Sequence, residues 1–133
     1  MNPQQNNIPQ VPTLFEAVGG EATFHRITKR FYEGIENDPL LRPMYPEDLT
    51  ESIRHMELFL MQYFDGPRTY SELRGHPRLR MRHAPFVIGQ PERDAWMRHM
   101  RAGVEAENLP KEIETFMLDY FERTATFMMN QRS

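Results

Sequence analysis

The chain contains no cysteine in its 133 residues, and that absence removes several chemistries at once. Disulfides, zinc–thiolate and iron–sulfur sites, thioether-linked prosthetic groups and thiol nucleophiles are all excluded. Any metal must be held by His, carboxylate, Tyr or Met. A cysteine-free chain suits a reducing compartment, so a cytoplasmic protein is expected. No stretch approaches the run of about 18 apolar residues that a membrane span needs, so stable membrane insertion is not expected. Charge of one sign is also missing: 16 Lys and Arg oppose 19 Asp and Glu, a net charge of −3. That balance argues against nucleic acid as a partner. Strand-like alternation and repeats of about 20 to 50 residues are absent too, and the length is enough for one domain but not for two ordinary ones.

Residues 1–12 carry Asn, Gln and Pro with no charged side chain. They lack the form of a signal peptide and read as a disordered lead-in. After them, Thr13 can cap a short helix through Leu14, Phe15 and Val18, stopped at Gly19-Gly20. Phe24, Ile27, Phe31 and Ile35 recur at helical spacing and predict a helix from about Glu21 to Asn37. Asp38-Pro39 opens a helical turn that Pro43 and Pro46 close into a corner. Ile53, Met56, Leu60 and Tyr63 predict a helix from Thr50 to Phe64, ended by Asp65-Gly66-Pro67. Arg68 to Gly75 is weakly periodic and reads as a loop with at most a helical turn. A short helix follows with Pro77 at its first position. Pro91 then starts a helix through Trp96, Met100 and Val104, and Pro110 starts the last, through Met117, Phe121 and Met128. The fold class is all-α. Nine Phe, five Tyr and ten Met suit packing against a large planar ligand, although most of them also serve a core.

Arg80-Met81-Arg82-His83-Ala84-Pro85-Phe86 is the segment richest in chemistry. It sets one histidine near the end of a helix that Pro85 must break, beside fixed cations. An iron porphyrin needs such an arrangement: one ring nitrogen binds the metal, the other is oriented by a backbone carbonyl, and guanidinium groups meet the porphyrin carboxylates. The same heptapeptide also reads as a helix end beside surface charge. Among the histidines, His25 is expected to be exposed, His55 to sit at a rim, His76 to cap a helix, and His99 to face either way. His83 alone has apolar residues on both sides, Leu79 and Phe86, and a proline fixing its exit. Tyr32, Tyr45 and Trp96 could donate hydrogen bonds to a bound ligand, or fill a core with their polar tips on backbone carbonyls. The five arginines between Arg68 and His83, against Glu72 alone, give a local excess of +4. Interleaved aromatics of the kind that single-strand binders use are lacking there.

These blocks together resemble the truncated haemoglobins of the second group, the branch common in actinobacteria. The matching stretches are Leu14 to Gly20, Arg30-Phe31-Tyr32, Tyr45-Pro46-Glu47-Asp48, Gly66 to Glu72, Arg74 to Phe86, and Glu92-Arg93-Asp94-Ala95-Trp96. The resemblance covers about residues 13 to 130, and a truncated globin domain is expected over 13–133. It implies a globin-like two-over-two helical sandwich around haem b (iron protoporphyrin IX). By the same resemblance His83 is the proximal iron ligand, and Tyr32, Tyr45 and Trp96 form the distal ligand-binding side. Ser52 and Met56 fall on the distal helix, where the stretch from Asp48 to Ile53 is one residue shorter than the family pattern. Met56 stands where leucine is usual. With Leu79, Arg82 and Phe86 these two complete the cofactor-binding set, Arg82 being the expected partner of a haem propionate.

The function expected is tight binding of dioxygen and other diatomic ligands at ferrous iron. Each hydrogen bond to a charged acceptor contributes roughly 1.5–3 kcal/mol, and tenfold in affinity takes about 1.4 kcal/mol. Two donors therefore slow release by orders of magnitude, which suits bulk oxygen transport poorly. The alternative is an enzyme of peroxidase or nitric oxide dioxygenase type using the same pocket. Dioxygen, NO, CO, peroxide and sulfide are the candidate ligands. No reductase module is visible, so an unidentified reductase would supply electrons. The sequence does not choose between a monomer and a homo-oligomer.

Overall fold

The structure, a computed structural model, describes residues 12–131; the polar lead-in over 1–12 lies outside them but for Pro12. Helix α1 (Leu14–Ala17) begins with a reciprocal cap. The Thr13 hydroxyl accepts the Glu16 N–H at 3.1 Å, and the Glu16 carboxylate accepts the Thr13 N–H at 3.1 Å, satisfying donors that a helix start leaves free. Gly19 and Gly20 then turn the chain with φ of 111° and 69°, a region open to glycine and closed to most side chains. Helix α2 (Glu21–Glu36) buries the expected stripe of Phe24, Ile27, Phe31 and Ile35, each 0% exposed.

A corner follows, carrying a single 3₁₀ turn at Arg42–Met44, and then α3 (Thr50–Tyr63). Two short helices, α4 (Thr69–Arg74) and α5 (Leu79–His83), lead to α6 (Gln90–Glu105) and α7 (Lys111–Phe127). Among the described residues there is no strand, and no helix is long and apolar enough to cross a membrane. Helix α2 packs on α3 and crosses α6, and α6 packs on α7. Gly103 lets α2 and α6 approach closely, because a Cβ there would stand 3.0 Å from the Ile27 carbonyl oxygen. Two helical pairs, α2 with α3 and α6 with α7, thus face one another. The aromatic contacts Tyr63–Tyr120 and Phe64–Phe121, at 3.8 and 5.8 Å between ring centres, join α3 and its end to α7.

Two elements differ from expectation. The segment from Arg68 to Gly75, expected as a loop with at most a helical turn, is mostly helix, α4 over six residues. Its weak pattern is stabilised from outside: Tyr70 is buried edge-on to Phe59, with ring centres 5.5 Å apart, and Gln62 exchanges hydrogen bonds with the Ser71 hydroxyl and N–H at 2.7 and 2.9 Å. The histidine helix starts at Leu79, not at Pro77. Arg78 adopts left-handed angles (φ 47°, ψ 49°) that break the helix before it, and the His76 ring accepts the Arg78 N–H at 3.0 Å.

Candidate functional site

Helix α5 is barely one turn long, and its last turn carries Arg80, Arg82 and His83. The Nδ1 atom of His83 lies 2.6 Å from the Leu79 carbonyl oxygen. A carbonyl only accepts, so Nδ1 carries the proton and donates it there, which leaves the Nε2 lone pair free. Asn130, beyond α7, braces the chain after α5: its amide nitrogen donates to the Phe86 carbonyl at 2.7 Å and its oxygen accepts the Ile88 N–H at 2.9 Å.

His83 lines a cavity of about 500 Å³ between the helical pairs, within the range typical of small-molecule sites. The same cavity is lined by Tyr32, Tyr45, Ser52, Met56, Leu79, Arg82, Phe86 and Trp96, so all the residues expected to hold the cofactor and its ligand meet there, whereas His25, His76 and His99 lie outside it. Their situations differ. Tyr32 is buried, and its hydroxyl donates to the Ser52 carbonyl at 3.2 Å. Tyr45 stands edge-on to it at 5.7 Å, and Trp96 packs against Phe31 at 5.3 Å and Phe121 at 6.1 Å. Burial pushes the Tyr45 phenol up to about 12, with the Trp96 indole N–H pulling the other way. Burial, and then the neighbouring Tyr45, also raises the phenol of Tyr32. Both phenols are therefore neutral O–H donors near neutral pH. Phe86, by contrast, is an exposed rim residue.

The rim is cationic. Arg82 donates from Nε to the Pro77 carbonyl at 2.9 Å, and Arg74 places a guanidinium nitrogen 3.0 Å from His55 Nδ1. Since arginine always donates, that imidazole nitrogen accepts. Burial first, and then Arg74, keep the His55 pKa below its usual value. His25 is exposed opposite Glu57, and His99 turns toward Asp38. Five further residues lie outside the set expected from the sequence: Tyr120 and Phe121, buried on α7, and Leu41, Met44 and Arg74. All five also line the cavity. Helical periodicity marks the first two as inward-facing but cannot separate a cavity wall from a filled core.

Among the described residues no group of three or more His or carboxylate side chains is placed to hold a bare metal ion. His55 lines the cavity too, with its two ring nitrogens turned to Arg74 and Glu51, so His83 offers the free imidazole nitrogen. That nitrogen, aromatic and thioether walls, and guanidinium groups at the rim suit a metal already held in a flat anionic ring. The family profile of bacterial-like globins matches residues 13–130. The chain belongs to the bacterial-like globin family. Within it, this globin is a truncated haemoglobin of the second group. It is 42% identical over 117 residues to the group 2 truncated haemoglobin YjbI of Bacillus subtilis, covering 88% of each chain. It superposes on the haemoglobin of Chloroflexus aurantiacus with a TM-score of 0.89 and 55% identity, over 91% of this chain and 100% of the other. It likewise matches the group II truncated haemoglobin of Bacillus anthracis with a TM-score of 0.89 and 37% identity, over 94% and 96%. The fold is therefore the two-over-two globin sandwich, and haem b is the cofactor of the family, which the residues of this cavity fit. This globin is a haem-based binder of oxygen-like ligands.

Proposed function

We propose that residues 13–133 form one globin domain that holds dioxygen tightly, with His83 as the proximal ligand and Tyr45 and Trp96 as the donors that slow its release. The observation that carries this reading is the committed Nδ1 of His83, 2.6 Å from the Leu79 carbonyl, in the same cavity as two neutral donors. Haem b supplies a ferrous iron that takes diatomic ligands. The chain supplies everything that tunes it. Leu79 fixes the imidazole tautomer and orientation, a role whose loss typically lowers metal affinity about 10–100-fold. Arg82 and Arg74, which line the cavity, would pair with the haem carboxylates. Tyr32, its proton given to the Ser52 carbonyl, serves as a wall against which Tyr45 is oriented. Tyr45 and Trp96 donate to the partial negative charge that develops on a bound ligand, each contributing roughly 1.5–3 kcal/mol.

The test is the oxygen dissociation rate of Trp96→Phe. Losing one such donor speeds release at least about tenfold, and an unchanged rate removes the indole from the proposal. A second reading, oxidation of phenols by peroxide, is favoured by one feature: the wall residue Tyr120 stacks at 3.8 Å on Tyr63, which is 46% exposed. Steady-state rates with hydrogen peroxide and a phenol decide it, since a rate no better than that of free haemin rejects it.

A further inference from the structure

Residues 38–47 form a self-tied unit that carries one of the two proposed donors. The Asp38 carboxylate accepts the N–H groups of Leu40 and Leu41 at 2.9 and 3.3 Å, and the Asp38 carbonyl accepts that of Arg42 at 2.8 Å. The Arg42 guanidinium donates to the carbonyls of Tyr45, Pro46 and Glu47 at 3.4, 2.9 and 2.7 Å. Any displacement of Asp38 is thus transmitted along hydrogen bonds to Tyr45. The other donor, Trp96, stands on α6, and three residues later on the same face of that helix stands His99. Its Nε2 donates to the second carboxylate oxygen of Asp38 at 2.7 Å.

This contact is shielded from water, with 9% of the Asp38 side chain and 19% of the His99 side chain exposed; Arg98 stands off at 3.9 Å. The imidazole occupies a notch made by Gly34 on α2, where a Cβ would come within 2.3 Å of its Nδ1. The His99 hydrogen bond is the leading cause that holds the Asp38 carboxyl below its usual range. Without His99 the carboxylate keeps the Leu40 and Leu41 N–H groups on one oxygen, but the other oxygen is left in a poorly hydrated site facing only Arg98 at 3.9 Å.

We propose that the Asp38–His99 pair, seated in the Gly34 notch, is a positioning device that docks the Tyr45 corner onto α6 and so sets the separation of the Tyr45 and Trp96 donors. The proposal rests on the reading that these two groups face the bound ligand. His99 and Asp38 are positioning residues: they act through Tyr45 and touch neither ligand nor cofactor. When the tie is broken, Asp38 moves toward water, the corner follows, and the phenol withdraws.

The experiment uses the haem-loaded protein and reads the oxygen dissociation rate together with the stretching band of bound carbon monoxide, which reports the field of the donors. His99→Leu removes the tie. Gly34→Ala keeps the imidazole but evicts it from its notch, and alanine favours the helix, so a folding defect in the first variant does not decide the outcome. Both are expected to raise the dissociation rate about fivefold and to shift the band, whereas His99→Gln, which keeps an N–H donor, stays within about twofold. In a Tyr45→Phe background, His99→Leu adds less than about twofold, because residues acting through one another are not additive. Wild-type rates and bands in both His99→Leu and Gly34→Ala overturn the proposal, and so does an undiminished effect in the Tyr45→Phe background. Tyr45→Phe alone with an unchanged rate overturns the donor reading beneath it, a failure distinguishable from that of the tie.

Discussion

Phe31 on α2 and Phe121 on α7 are 0% and 1% exposed, whereas Met81 and Val87, in and just after α5, are 60% and 65% exposed. All four belong to elements that enclose the same cavity. The α2–α6–α7 side is a packed core, where a buried apolar side chain contributes about 1.5–3 kcal/mol over an exposed one. Helix α5 buries no residue completely. It is held by the Arg82 bond to Pro77, the Asn130 brace and the His83 bond to Leu79, each contributing roughly 1 kcal/mol net. Trp96, one of the two proposed donors, therefore stands on the packed wall, and the proposed iron ligand on a wall held by few contacts, which an occupant would stabilise. A ligand that binds only the folded state stabilises it by about 2.7 kcal/mol at a hundredfold excess over its Kd. For this globin, the gain in amide-exchange protection should concentrate in α5 and the chain up to Ile88.

The contrast can be broken first at the core. Phe121→Ala should lower stability by about 3–5 kcal/mol, with or without cofactor, in denaturant titrations; a loss under about 1 kcal/mol contradicts a packed wall there. On the other side, His83→Gly should weaken haem binding by at least about a hundredfold, close to 2.7 kcal/mol, while apoprotein stability falls by only about 1–2 kcal/mol, for the lost Leu79 bond and the glycine in α5. Haemin titration measures it, added imidazole should restore part of the affinity, and unweakened binding assigns the ligation to another residue.

Smaller effects sharpen the comparison. Asn130→Ala should cost about 1–2 kcal/mol and speed amide exchange at Phe86 and Ile88 without touching α2. Uniform acceleration across the chain would mean that α5 and α2 open together. On the packed side, Glu107 is held between Arg26 and Arg30 with 5% of its side chain exposed. The Arg26 hydrogen bond is the first cause that keeps its carboxyl below 4.5. A carboxyl whose pKa falls on folding stabilises the protein above its unfolded pKa, and that contribution disappears as pH drops through the folded value. Glu107→Gln should therefore flatten the acid limb of stability below about pH 4.5, and a limb of unchanged slope would place the acid sensitivity elsewhere.

Local chemistry made much of this molecule readable in one dimension. Phe24, Ile27, Phe31 and Ile35 announce α2 by spacing alone, the paired glycines and Pro85 announce where helices stop, and His83 stands out by its flanking residues. Such features depend on neighbours within a turn or two, and the backbone geometry of an L-peptide fixes what those neighbours do. Other features had no local signal. Helix α4 exists because Tyr70 and Ser71 find partners on α3. The Tyr32 hydroxyl is committed to a carbonyl 20 residues away, Arg74 meets a histidine 19 away, and His99 meets Asp38 across 61. Which polar tip reaches a backbone carbonyl and which is left for a ligand is decided by burial: a buried donor must find the nearest acceptor, and only the packed tertiary arrangement determines which acceptor is near.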